Sequence, residues 1–436
     1  MNFLRGLAVL VAVASVCFMP SIAAEPQKGT ITLTEYLGEV GQYNLDLAAQ
    51  KYNVSIAEAQ RSIAALFPDP IITAGIGSTQ LNAAQRPASP TQTVASLGWT
   101  IELGGKRSAR IALAEGGIRK ADADLQEFLR NLRATAANAF IETLRTRLVL
   151  QRTLETSQSL RRLVAVNERR YQSGDIGRVE LLQSQVEADR FVGNVASAEA
   201  AVRVAENAMA LPLGRSLDGR VPTGDIRPLP MPISPQRVLD IALERRADLV
   251  AARAAVDVAR EQLALARANR WVDVAVNLGV AHTPAIPVNA GLEPAGNPVT
   301  PAFTSNTLGA VVTVPIPLSR LQQGELIQAS AILSQSELQL KSTELKVRTE
   351  VDSAVAQYEA AERQLMVFQD GILKNADAVL GGMRYSYTRG NSSLLDLLNA
   401  QRTADSVYLS YFDALANYGK AVVALQQAAG DYDISF

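Results

Sequence analysis

Two stretches of this chain, Tyr171 to Asp189 and Tyr387 to Asp405, are one phrase written twice. YQSGDIGRVELLQSQVEAD lies over YTRGNSSLLDLLNAQRTAD without a gap, matching Tyr171 with Tyr387, Gly174 with Gly390, Glu180 with Asp396 and Asp189 with Asp405. In each copy a long helical pattern runs into the tyrosine, breaks at a polar turn containing glycine, and restarts as a second helical pattern. A repeated hairpin tip implies a repeated hairpin. The 436 residues therefore read as two half-units of one architecture.

The N-terminus has the order of a secretory signal over residues 1–24: Arg5, an apolar run from Leu7 to Phe18, then Ser21-Ile22-Ala23-Ala24. Cys17, the single cysteine, falls inside that run, so an exported chain is expected to carry no thiol or disulfide. Val16 disfavours acylation of Cys17, because a lipidation site needs a small residue there. A formal charge of -1 without a basic block argues against nucleic acid. The hydrophobic fraction is 48% but only 5% is aromatic, and much of it is alanine, which suits close helix packing.

The first half-unit spans 25–211. Thr32 and Glu35 form a capping-box pattern opening a helix through Tyr36, Leu47, Ala57 and Ile63, ended by Phe67-Pro68-Asp69-Pro70. The apolar period then becomes two, predicting strands at about 71–80 and 94–104 around a loop with Pro87 and Pro90. From Lys106 to Tyr171 there is no proline, and a continuous helix there would be roughly 100 Å long. The tip from Gln172 to Gly177 turns it back, and the return helix runs to Ala210.

A proline-rich connector at 212–235 leads into the second half-unit, 236–436, where Asp248-Leu249 and Gln262 repeat the separation of Asp46-Leu47 and Gln60. Strands are predicted at about 271–281 and 307–317, with Leu308, Ala310, Val312, Val314 and Ile316 on one face. Ser319 caps a second long helix to Tyr387, and a last helix returns to Gly430.

Four strands of about ten residues, each apolar on one side and small or polar on the other, have the length and period of transmembrane β-strands. A four-stranded sheet in lipid would leave unpaired edges, so several copies must pool their strands. Three would give about twelve, within the known range of barrels. A signal peptide, a shared barrel and long amphipathic helices describe an outer-membrane conduit.

Across nearly all of its length after the signal, the chain resembles the TolC family of outer-membrane efflux proteins. The carrying features are the duplicated helix-strand-strand-helix plan and the two tips, Tyr171 with Gly174 and Leu181-Leu182, and Tyr387 with Gly390, Asp396 and Leu397-Leu398. The resemblance implies a mixed, mostly α fold: a homotrimer with a 12-stranded outer-membrane β-barrel continuous with a long periplasmic α-helical barrel. It also implies a Gram-negative outer membrane with its lipid, a periplasmic membrane-fusion adaptor and an inner-membrane pump as partners. The run Ile101-Glu102-Leu103-Gly104-Gly105-Lys106-Arg107 is similar to the strand-to-helix junction of the CzcC-like branch. That branch serves resistance-nodulation-division (RND) pumps for cobalt, zinc and cadmium.

The resemblance places Asp396 near the periplasmic constriction, with Asn399 where the family has a second aspartate. A ring of three carboxylates would favour cations; Ser393 and Asp396 also have capping-box spacing, and both roles can coexist. The expected adaptor-docking tips comprise Tyr171, Gly174, Asp175, Gly177 and Glu180, and Tyr387, Gly390 and Asn391. Each glycine also serves as a plain helix reversal. Glu102 and Asp273 fall on the polar side of the predicted strands and are candidates to line the lumen. Trp271 fits an interfacial anchor, while Trp99 suits core or lipid packing equally.

His282 is the only histidine, and no set of ligands, nucleophile and base, or phosphate-binding loop accompanies it. Neither cofactor nor enzymatic activity is expected; energy for transport must come from a partner. Drug, dye or organic-solute efflux and type I secretion are alternative duties for the same conduit. A trimeric coiled-coil adhesin would need long heptads and one terminal barrel segment, which the internal strand pairs oppose.

Overall fold

The computed structural model describes residues 29–77, 92–226, 234–284, 304–316 and 323–430. The expected signal with Cys17, Pro87 and Pro90, and Ser319 lie outside them. In order, β1 (Thr30–Ile31), α1 (Leu33–Tyr43) and α2 (Leu45–Ala64) lead to β2 (Ile71–Ile76) and β3 (Thr93–Ile101). The helix α3 (Lys106–Gln172) and its return α4 (Arg178–Leu213) complete the first half. The second half has β4 (Val221–Pro222), α5 (Pro235–Arg245), α6 (Ala247–Ala268), β5 (Val274–Thr283) and β6 (Ser305–Thr313). It ends with α7 (Gly324–Val367), α8 (Leu373–Thr388) and α9 (Leu394–Ala429). The expected plan recurs in both halves, and the 67 residues of α3 make an uninterrupted rod.

Three local features differ from the sequence reading. The single opening helix is split at Asn44, whose extended backbone lets its Oδ1 accept from the Leu47 amide at 2.7 Å. Asn44 Nδ2 donates to the Pro212 carbonyl at 2.8 Å, so the break ties the first helices to the end of α4. Arg246 occupies the same joint between α5 and α6 and donates to the Ala428 carbonyl at 3.4 Å. Gly214 and Gly430 end α4 and α9 in the left-handed region and pass directly over these joints: a β-carbon would stand 2.5 Å from Tyr43 O and 3.2 Å from Arg246 Cα. The duplication thus extends to a hydrogen bond made by two different residue types.

The second long helix is also interrupted. A π turn at Phe368–Ile372 separates α7 from α8, with Gly371 at φ 148°, a conformation open to glycine. Finally, the strands stop short of the helices. β3 ends at Ile101 and β5 starts at Val274, so Glu102, Leu103, Trp271 and Asp273 belong to turns, and Val314 and Ile316 lie beyond β6.

The sheet order is β2-β3-β5-β6, antiparallel throughout, with the β3–β5 pair joining the halves. Its register aligns Ile72, Leu97, Leu278 and Ala310 in one row and pairs Trp99 with Val276 and Val276 with Val312. This face is apolar and open: Ile72 is 79% exposed and Leu308 79%. The other carries Ser96, Gly98, Thr100, Asn277 and Gly279, with Asn277 packed over Gly98. Among the described residues, the outer strands β2 and β6 each pair with one neighbour. That combination asks for lipid on one face and further strands at both edges.

Helix packing supplies the core. Tyr36 is buried, donates to the Met209 carbonyl at 2.7 Å, and holds its ring 5.8 Å from that of Phe140. Alanines 134, 136 and 137 let α3 approach its neighbours closely there. A second apolar cluster near the tips joins Leu160, Leu380, Tyr387, Leu394, Leu397 and Leu398. Among the described residues no helix is long and apolar enough to cross a membrane.

Candidate functional site

The two tips are built by the same backbone bonds. Asp175 N–H donates to Arg170 O at 2.8 Å and Asn391 N–H to Ser386 O at 2.9 Å, closing each helix over a left-handed Gly174 or Gly390. Gly174, Asp175 and Gly177 are exposed, as are Gly390 and Asn391.

Side chains then break the symmetry. In the first tip the residue capping α4 is Gly177, which offers no side chain, so Glu180 is free to reach across. Buried Tyr387 donates its one hydroxyl proton to Glu180 Oε1 at 2.9 Å, and the side-chain amide of Asn167 lies 2.7 Å from the same hydroxyl. Burial first, and then the Glu180 carboxylate, push the Tyr387 hydroxyl up to about 12, keeping it a donor. In the second tip the cap is Ser393, and Asp396 completes the capping box: its Oδ2 accepts from Ser393 Oγ at 2.7 Å and Ser393 N at 3.1 Å. Those hydrogen bonds hold the Asp396 carboxyl below its usual range. Asp396 and Asn399 share an exposed face one turn apart, and Tyr171 is 42% exposed where Tyr387 is 2%.

Above the tip, a polar layer crosses the bundle. Asp405 is buried and accepts from Arg152 Nε at 2.9 Å, Thr156 Oγ1 at 2.9 Å and Gln401 Nε2 at 3.0 Å. Asp189, its partner in the repeated phrase, is exposed. Arg152, 253 positions from Asp405, carried no sequence signal of this pairing.

At the other end of α3, the Glu102 to Arg107 run makes a compact junction. Gly104 and Gly105 have φ 73° and 71°, turning the chain from strand to helix without a β-carbon clash. Buried Lys106 donates to Asp273 Oδ1 at 2.7 Å, and Leu103 N–H reaches the same oxygen at 3.4 Å. Arg110 clasps Glu102, while Arg107 donates to the Ala65 carbonyl at 2.7 Å and lies 4.3 Å over the Phe67 ring. Glu102 and Asp273, expected as lumen carboxylates on strands, are engaged in ion pairs that lock strand, turn and helix together. His282 faces Asn306, with Nδ1 2.7 Å from its Oδ1. Among the described residues no group of three or more His, Cys, Asp or Glu could hold a metal ion.

The geometry offers an exposed tip, a long helical wall and a sheet with one open, apolar face. Comparison with known proteins agrees. The chain is 23% identical to the cobalt-zinc-cadmium resistance protein CzcC of Cupriavidus metallidurans, over 92% of this chain and 90% of that one. It is 23% identical to the outer membrane efflux protein BepC of Brucella suis, over 92% and 85%. Among solved structures, CusC superposes with a TM-score of 0.73 at 18% identity, over 92% of each chain. The model of the outer membrane efflux protein family matches residues 37–215 and 238–431, one span per half. The chain therefore belongs to the outer membrane efflux protein family.

Proposed function

We propose that three copies of this chain form the outer-membrane channel of a tripartite RND-type efflux system carrying divalent heavy-metal cations. Membership of the family makes the chain an outer-membrane efflux channel, not an enzyme. The observation that carries the conduit is continuity: α3 starts at Lys106, a few residues after β3 ends at Ile101, and runs without a break to the tip. A wall that begins in a lipid-facing sheet and continues as a helix of roughly 100 Å suits passage across the periplasm. The outer edges of β2 and β6, unpaired among the described residues, support the assembly, since joining them to other copies satisfies their backbone groups.

The metal assignment rests on two supports, the Glu102 to Arg107 junction and the likeness to CzcC. BepC matches at the same identity, so the junction decides between substrate classes in this reading. The exposed tips, with Asp175, Gly177, Gly390 and Asn391, would meet the periplasmic adaptor, and Asp396 with Asn399 would border the entrance. Deleting the gene in its host and comparing tolerance to cobalt, zinc, cadmium and nickel with tolerance to dyes, bile salts and antibiotics tests the assignment. Selective metal sensitivity, restored by the intact gene, is expected. Sensitivity confined to organic compounds would reject metal as the cargo.

A further inference from the structure

The repeat supplies an acceptor for an exposed side chain. Within one chain, Tyr387 of the second tip donates to Glu180 of the first at 2.9 Å. The repeated phrase matches Tyr387 with Tyr171 and Glu180 with Asp396. The same bond written in the other order would join Tyr171 to Asp396. Among the described residues the chain makes the Tyr387–Glu180 bond and not its counterpart. The unused halves agree with this: Tyr171 is 42% exposed against 2% for Tyr387. Asp396 spends Oδ2 on the capping box, and the hydrogen bonds described above leave its Oδ1 open.

We infer that Tyr171 of each protomer donates its hydroxyl to Asp396 of the adjacent copy, so that tyrosine–carboxylate bonds within and between chains alternate around the closed tips. This rests on the trimeric reading given above. The repeat also sets the surroundings. Asn167, whose side-chain amide lies 2.7 Å from the Tyr387 hydroxyl, corresponds to Met383 under the same offset, so the bond between chains has a thioether where the bond within the chain has an amide. A tyrosine hydroxyl on an ionised carboxylate is a charge-assisted bond, stronger than a neutral one. Asp396 then belongs to an intersubunit contact as well as to the entrance, and its acidity at the mouth is partly masked while the tips are closed.

The test uses the full-length chain in outer membranes, with Cys17 replaced by Ala. In Tyr171→Cys/Asp396→Cys, a bis-maleimide linker, used because a tyrosine–carboxylate bond holds its two Cα atoms farther apart than a disulfide spans, should convert most of the protein to covalent dimers and trimers on denaturing gels, with neither single variant doing so. Tyr387→Cys/Glu180→Cys is the control within one chain and should remain monomeric with altered mobility. A photocrosslinking phenylalanine analogue at position 171 gives a second readout that leaves Asp396 intact, and should attach to the peptide containing Leu394 to Ala400. If amine-reactive cross-linking yields trimers while both 171 probes give no more intersubunit product than the single cysteines, the inference is overturned. If the chain is monomeric in the membrane, the trimeric reading fails and the inference falls with it.

Discussion

A β-carbon on Gly104 would stand 2.4 Å from Cδ1 of Trp271, and the φ of Gly104 is 73°. Gly174, at φ 82°, has nothing within 4 Å of the same position. Two glycines with like backbone angles are thus held for different reasons. Gly104→Ala is expected to cost about 3 kcal/mol, combining left-handed strain with displacement of the indole. Gly174→Ala should cost about 1 kcal/mol from strain alone. Thermal unfolding of the purified variants compares them directly; equal losses would mean that the Trp271 contact contributes nothing.

The polar layer gives a second contrast. Asp405→Ala removes the acceptor for Arg152, Thr156 and Gln401 and is expected to destabilise by about 3 kcal/mol, because a part-buried guanidinium loses its partner. Asp189→Ala, at the matched but exposed position, should stay within about 0.5 kcal/mol. Denaturant midpoints of the two variants measure the difference.

In the junction, Lys106 is the more buried partner, with its side chain 6% exposed against 34% for Asp273. Asp273→Asn leaves an ammonium without its counter-charge and should cost about 3 kcal/mol; Lys106→Met leaves a carboxylate that water reaches and should cost about 1 kcal/mol. The double variant should lose less than the sum. An additive double-mutant cycle would show that the pair does not couple strand to helix.

Acid stability has an assignable component. Hydrogen bonding to Arg220 chiefly, and to Arg215, lowers the Glu39 carboxyl to about 2. A carboxyl depressed on folding stabilises fully above its unfolded value, 4.5, and that contribution fades as pH falls toward about 2. Glu39→Gln should therefore be less stable than the parent at neutral pH and approach it below about pH 3. Unfolding midpoints from pH 7 to 2 test this; a constant gap would exclude Glu39 titration as the cause.

The repeat and its periods made most of the architecture legible. Alternation in Leu97, Trp99 and Ile101 marks a half-exposed strand, and the long proline-free run from Lys106 marks the rod. Gly174 and Gly390 marked tips whose backbone bonds are identical in kind. What periodicity missed depends on partners distant in the chain. Asn44 breaks a helix where nothing in the apolar pattern changes, because Pro212 accepts from it; an asparagine three residues before Leu47 is the one local cue. Gly371 is one of three glycines in the run from Phe368 to Tyr387, and Gly381 and Gly382 stay helical, so glycine alone did not mark the π turn. Glu102 and Asp273 looked like strand residues because alternation continues through the turns, and only the fold brings Lys106 and Arg110 against them. The duplication also hid a difference: Gly177 cannot cap with a side chain and Ser393 can, which sends Glu180 to Tyr387 and keeps Asp396 at home.

The most direct test of the conduit is a cryo-electron microscopy map of the protein in lipid nanodiscs. Threefold particles are expected, with β2 of one copy beside β6 of the next, twelve strands inside the lipid disc and the helices forming one tube below it. A particle of different symmetry, or one whose sheets lie outside the lipid with β2 and β6 unpaired, would contradict the assembly.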